Sequence, residues 1–380
     1  MPTQPYRLAA IVLFAAITPT ILMTAPAVAA QLASQWQLNP ARIGDLFSVE
    51  LGAMSLATLP AWFWLKRVDW PSAALVAALV FIVANLLSML ADTYAALLLL
   101  RFASALAGGS LMIICLASAA GSANPGRVYG LWVMGQLIVG ALGLLVLPGL
   151  FGQFGLNACY LILAGLMTLL LPLAKAFPAG SSVAQASSGS SLPGSRCKAV
   201  LGIGAVLGFY ISLGGVWTFI GALGANAGVS ASHSGEILAI ATLMGIAGAA
   251  SASLISARLP RGMLLLVGYA LMAAAVLLLL GQPALLRFAL AALLFKFSWT
   301  FILPLVLACL ADLDHSGKLM NASNLVIGGG LAIGPAVAGR LIEVSGGFTL
   351  LLLGAAVITL LSLVMILTSR PNYPTELEPV

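Results

Sequence analysis

Apolar runs long enough to cross a bilayer fill this chain almost from end to end. Spanning the hydrocarbon core as a helix takes about 20 predominantly apolar residues. Such runs recur at roughly 8–33, 43–65, 71–91, 94–120, 127–151, 156–177, 199–223, 234–257, 262–281, 284–311, 318–343 and 347–369. Gly, Pro, Asn, Asp and Ser punctuate the gaps. Only 7% of the 380 residues are charged and 62% are hydrophobic, with a mean hydropathy of +1.12. A soluble domain carries about 25% charged residues. The main solvent is therefore lipid, which excludes a soluble enzyme, a disordered chain and a nucleic-acid-binding module. Twelve helices of about 23 residues would take about 276 residues, and short loops and tails take the rest. A β-barrel would alternate apolar and polar residues in runs of about ten, and no such pattern occurs.

The net charge of +6 is spread through the gaps. With the N-terminus inside, one side collects Arg7, Lys66, Arg67, Arg127, Lys175, Arg196, Lys198, Arg258, Arg261, Lys318 and Arg370. The other side receives Arg42, Arg287 and Arg340. Cytoplasmic loops carry the excess of Lys and Arg, so both termini are expected in the cytoplasm, across a bacterial inner membrane. Arg7 ahead of an apolar run and Ala27-Val28-Ala29 give the first span a signal-peptide look. That run is longer than a signal core and contains Pro19 and Pro26, so it is read as a retained helix. Cys115, Cys159, Cys197 and Cys309 share no CxxC spacing and read as free thiols. With His233 and His315 the only histidines, no metal or other cofactor is expected.

Residues 178–198 read PAGSSVAQASSGSSLPGSRCK, a polar linker between six spans and six spans. The expected division is a bundle over 1–177, a linker over 178–198, and a bundle with a short tail over 199–380. The two halves share an internal register. Gly44-Asp45 matches Gly235-Glu236, Arg67 matches Arg258, Gly126-Arg127 matches Gly317-Lys318, and Gly143 matches Gly334, each pair 191 residues apart. Leu99-Leu-Arg101-Phe-Ala103 also echoes Leu285-Leu-Arg287-Phe-Ala289 at an offset of 186. Two parallel six-helix repeats point to a transporter with its site between the halves.

The layout and the duplication resemble the major facilitator superfamily over about residues 8–369. Gly330-Leu-Ala-Ile-Gly334-Pro335-Ala-Val-Ala-Gly339 in span 11 is similar to the GxxxGP motif that antiporters of this superfamily carry in span 5. In span 5 of this chain Leu144 stands where the proline would align. Arg101 occupies the place of the superfamily's span-4 arginine. The resemblance implies an all-α membrane protein of twelve helices in two pseudo-symmetric six-helix bundles. It also implies that spans 1, 4, 7 and 10 line a central cavity.

Three ionisable residues lie well inside spans: Glu50, Arg101 and Lys296. An ionisable group there costs about 2.5–3.5 kcal/mol and is expected to meet a partner or water. Glu50 has no acidic counterpart in the second half, where Ala241 stands, and is the candidate proton-coupling site. Its structural alternative is an ion pair with Arg101. Lys296 lacks a repeat counterpart and is a candidate for holding an anionic group of a substrate. Arg101, Tyr210, Trp217 and Thr24 are further candidates for substrate binding, among the prolines of span 1 and the glycines of span 7. Gly330, Gly334, Pro335 and Gly339 are candidates for gating or helix packing. Asp45 and Glu236 read as first-turn residues favoured by the helix dipole, and Gln136, Asn321 and Asn324 as interhelical hydrogen-bonding groups.

The expected function is proton-coupled export of a small organic solute by alternating access, with the protein acting as a monomer in the lipid bilayer. Uptake of an organic anion is the alternative. A non-transporting receptor or scaffold is a further one, and it would be expected to carry a soluble domain. No HExxH, GxSxG or paired-Asp arrangement marks an intramembrane enzyme, and no nucleic acid is expected as a partner.

Overall fold

The computed structural model describes residues 4–178, 196–256, 258–313 and 318–370, and within these the chain is all helical. Fifteen α-helices follow in order: α1 (Gln4–Ile17), α2 (Thr20–Met23), α3 (Ala25–Gln35), α4 (Pro40–Leu56), α5 (Thr58–Trp64), α6 (Trp70–Ser88), α7 (Tyr94–Ala120), α8 (Pro125–Phe154), α9 (Asn157–Leu170), α10 (Arg196–Asn226), α11 (Ala231–Ile255), α12 (Arg261–Leu277), α13 (Leu285–Leu313), α14 (Lys318–Ser345) and α15 (Thr349–Ser369). A 3-10 turn at Leu171–Ala176 prolongs α9. Among the described residues nine spans are long and apolar enough to cross a membrane, and α1 and α12 are shorter apolar helices.

Several helices begin earlier than their apolar runs do, because a polar cap starts the backbone pattern before lipid-facing residues are needed. Asn39 accepts from Arg42 N at 2.9 Å, so α4 opens at Pro40 rather than near 43. Asn124 accepts from Arg127 N at 3.1 Å and opens α8 at Pro125. Ser230 accepts from His233 N at 3.3 Å and opens α11 at Ala231. Each cap satisfies an N–H that the helix cannot, and proline suits the position after it.

The first two spans are broken, and proline explains both. Proline has no N–H and crowds the carbonyl four residues back. Pro60 does this to Leu56, where α4 gives way to α5. Pro19 leaves the Ala15 carbonyl unserved, and Gln136 Nε2 of α8 donates to it at 3.0 Å. Pro26 leaves the Leu22 carbonyl unserved, and Trp217 Nε1 of α10 donates to it at 2.8 Å. The Ala15 and Leu22 carbonyls thus become docking points for other helices.

Helices α1–α9 and α10–α15 are two sets along the chain, and contacts between the sets are as extensive as those within them. Within 4–176, α6 packs on α7 and α9, α4 on α7, and α1 on α8. Within 196–369, α10 packs on α14 and α15, α11 on α13, and α12 on α13 and α15. The sets meet along α4 with α14, α8 with α11, and α3 with α10. Residues 179–195 of the expected linker lie outside the described residues.

The duplicated glycines make equivalent contacts in the two halves. A Cβ on Gly44 would strike the Pro335 carbonyl of α14, and one on Gly235 would strike the Leu144 carbonyl of α8. A Cβ on Gly143 would meet Thr24, and one on Gly334 would meet Gly215, the residue 191 positions after Thr24. Gly221 approaches the Pro26 carbonyl and Gly339 the Pro40 carbonyl in the same way. The approaches of Gly44, Gly221, Gly235 and Gly339 join the two halves, and Gly328 of α14 meets Ser55 near the end of α4. Around the glycines, Ser48 Oγ donates to the Ala332 carbonyl and accepts from Ala336 N at 3.0 Å, bridging one turn of α14 beside Pro335.

Candidate functional site

Two charged centres lie deep in the molecule, one in each half. In the first, Arg101 of α7 is 1% exposed. Its Nη1 donates to Asn85 Oδ1 at 3.1 Å, and its Nη2 to Ser88 Oγ at 2.7 Å and to the Ala84 carbonyl at 3.4 Å, all on α6. Asn85 is held in turn by donating to Ser104 Oγ at 2.9 Å and to the Phe81 carbonyl at 2.8 Å. The guanidinium carbon sits 4.3 Å from the centre of the Tyr160 ring. Glu50 Oε1 lies 3.7 Å from Arg101 Nη1. Four elements, α4, α6, α7 and α9, therefore converge on one cation.

Glu50 lies deeper than its apolar run implies. Because α4 opens at Pro40, the carboxylate is ten residues in, about 15 Å along the axis. It borders a small cavity with Thr18, Pro19, Leu22, Phe81 and Ser104. The cavity volume is about 10 Å3, room for about one water. Thr18 Oγ1 is buried there without a hydrogen-bond partner.

In the second centre, Lys296 of α13 is 2% exposed. Its Nζ lies 3.7 Å from the centre of the Trp217 ring and 4.4 Å from that of Trp299. Phe295 stacks on Trp217 at 6.3 Å and meets Trp299 edge-on at 6.1 Å, and Tyr210 meets Trp299 edge-on at 6.5 Å. The ammonium has no ion pair or hydrogen bond among the described residues. Cation–π attraction supplies about 2 kcal/mol when desolvated, against the roughly 2.5–3.5 kcal/mol that a charge at this depth costs. The aromatic box therefore offsets only part of the cost.

The centres are joined through α2. Trp217 covers Lys296 with its ring and holds the Leu22 carbonyl with its indole N–H, while Leu22 borders the Glu50 cavity. Thr24, just beyond, is fully buried and donates to the Thr20 carbonyl at 2.8 Å, so its hydroxyl serves the break in the first span. Of the span-11 residues, Gly330 packs on Tyr210, Gly334 on Ile211 and Gly215, Pro335 on Gly44, and Gly339 on Pro40. A cleft of about 350 Å3 opens beyond α2 between Pro26, Gln31, Pro148, Gly221 and Ser234.

Several partners escaped the sequence reading. Trp299 is three residues after Lys296, one turn along the same face, and that spacing was a usable signal. Asn85 and Ser88 share a face of α6 by the same rule. Asp45 is not in the first turn of α4; its carboxylate receives Arg340 of α14 at 2.7 Å, linking the halves. Asn324 is exposed, and the Asn321 side chain lies outside the described residues.

The Major Facilitator Superfamily sequence family matches residues 8–315. The fold is similar to that of a mutant form of the nucleoside transporter NupG, with a TM-score of 0.76 and 13% identity over 96% of this chain and 98% of that one. It is also similar to a bacterial homologue of the human lysosomal transporter Spinster. The inward-facing, occupied form gives a TM-score of 0.71 at 15% identity over 98% and 100% of the two chains. The inward-facing, unoccupied form gives 0.63 at 16% over 97% and 96%. At these identities the likeness concerns the fold. No curated protein sequence matches the chain. The extent of the family match decides the assignment: this chain belongs to the Major Facilitator Superfamily and is a membrane transporter.

Proposed function

We propose that this transporter carries a small organic anion, with Lys296 as the group that receives the anionic end of the substrate. The observation that supports this is a buried ammonium in the second half, boxed by Trp217 and Trp299, of which Trp217 also holds Leu22 of the first half, and lacking a carboxylate among the described residues. A carboxylate or phosphate entering beside Nζ would complete the charge that the indoles only partly offset. Aromatic faces around it would hold an apolar or planar body. Residues 8–177 and 199–369 would rock about this point, and the bond from Trp217 to Leu22 lies on the line of that motion.

The excess of basic residues supports cytoplasmic termini in a bacterial inner membrane. In that orientation the contacts of Gly44, Gly221, Gly235 and Gly339 would lie toward the outer face. The reading favours uptake of the anion. Proton-coupled export is the second reading, and one observation favours its coupling element. Arg101 keeps three neutral acceptors and the Tyr160 face whatever the charge on Glu50. Glu50 could therefore take up a proton without dismantling the bundle around it.

Transport into proteoliposomes with an imposed pH gradient tests both readings, using a panel of organic anions, cations and neutral compounds. The anion reading expects accumulation of anions, and loss of it in Lys296→Ala. Equal loss of neutral and anionic substrates in that variant would make Lys296 a packing residue and end the proposal. Full gradient-driven transport by Glu50→Gln would remove Glu50 from the coupling mechanism.

A further inference from the structure

A second cationic site lies away from the interface centres, where α1 and α8 begin. Arg7 of α1 and Arg127 of α8 both line a half-open pocket of about 420 Å3, closed on its third side by the turn Gly121–Asn124. No acidic residue lines it among the described residues. Arg7 Nη2 donates to the Ser118 carbonyl at 2.7 Å, which fixes the guanidinium at the pocket wall. Its Nε is buried and has no hydrogen-bond partner. Arg127 is exposed, and its side chain makes no ion pair among the described residues. The first amides of α8 end at the same place and add positive potential.

Two arginines that border one pocket, with no counter-charge among the described residues, describe a receptor for a phosphate-type anion. Arginine presents paired donors that match the geometry of phosphate oxygens. The depth of the pocket fits a membrane surface. It lies at the ends of apolar helices, with Tyr6 exposed beside Arg7 and Tyr129 two residues after Arg127. Tyrosines collect at the headgroup level of bilayers.

We propose that this pocket binds the phosphate of an anionic group at the membrane surface, supplied by an acidic phospholipid headgroup or by a free phosphate. The site is distinct from the Lys296 centre, and its occupancy ties the start of α1 to the start of α8.

The test uses the purified full chain in detergent and follows thermal unfolding while short-chain phosphatidylglycerol, phosphatidylcholine or inorganic phosphate is added. Phosphatidylglycerol should raise the unfolding temperature with saturation, and phosphatidylcholine should not. Arg127→Gln, whose side chain has no ion pair to lose, should need roughly fivefold more phosphatidylglycerol for half-saturation. Arg67→Gln, an exposed basic residue outside the pocket, should behave as wild type. A matching rise with inorganic phosphate, lost in Arg127→Gln, would support the site and identify the free anion as its source. Identical titrations for wild type and Arg127→Gln would overturn the proposal. So would an equal weakening in Arg67→Gln, which would reduce the effect to diffuse surface charge.

Discussion

Arg101 and Lys296 are both buried cations in long apolar helices, and the molecule treats them in opposite ways. Around Arg101, α6 supplies three acceptors, α9 an aromatic face, and α4 a carboxylate 3.7 Å away. Around the Lys296 ammonium two indole faces stand in place of a counter-ion among the described residues. The first arrangement partners both terminal nitrogens of the guanidinium from within the fold, leaving only Nε without an acceptor, and makes the charge part of the framework. The second leaves the charge partly unsatisfied and so creates an affinity for something from outside. Depth in the membrane, which both share, says little about role; the completeness of the surrounding shell says more.

Removal of each cation should separate the two cases most widely. Arg101→Ala strands the Glu50 carboxylate and empties the acceptors of α6, and loss of one member of a buried pair costs about 3–5 kcal/mol. A large fall in unfolding temperature and in the yield of monodisperse protein is expected, measured by fluorescence-detected size exclusion after heating. Arg101→Lys should recover little, because an ammonium cannot reach Asn85, Ser88 and Ala84 together. Stability near wild type in Arg101→Ala would break the comparison.

Lys296→Ala should do the reverse. It removes an incompletely offset charge, so thermal stability should change little. Binding of anionic substrates should weaken by roughly ten- to a hundredfold, the range for a hydrogen bond to a charged group. Isothermal titration against an anion and a neutral analogue checks the contrast. Glu50→Gln should cost less stability than Arg101→Ala, since the arginine keeps its neutral acceptors, while gradient-driven transport is lost. Finally, Trp217→Phe keeps a ring over Lys296 but deletes the bond to Leu22, worth about 1 kcal/mol. The balance between inward- and outward-open forms should shift about fivefold, read from alkylation of a cysteine placed at Ala27.

How much of this was legible in the sequence depended on whether the cause was local. Apolar runs located the spans but not the helix starts, which the caps Asn39, Asn124 and Ser230 moved outward. Pro19 and Pro26 marked the broken first span, although nothing local could say that Gln136 and Trp217 would serve the freed carbonyls. The limit is clearest in the repeated pentapeptide Leu-Leu-Arg-Phe-Ala. Arg101 is eight residues into α7 and is buried, whereas Arg287 is three residues into α13, exposed, and donates to the Leu280 carbonyl at 2.8 Å. Identical neighbours gave opposite environments because the helix starts differ. The Glu50–Arg101 pair was one of two alternatives the sequence left open, whereas the Trp299 wall and the Asp45–Arg340 link required the tertiary arrangement.

The glycine contacts at Gly44, Gly221, Gly235 and Gly339 have a mechanical consequence. They press one helix directly onto the carbonyls of the next, so at these four points the halves meet without interlocked side chains. Parting such a seam wets a row of backbone oxygens that water can hydrogen-bond at once, and it demands no change of rotamer. Such points of contact therefore offer little friction to opening. A methyl group added at any of these four positions would act as a wedge, making leakage rather than unfolding the first symptom of damage.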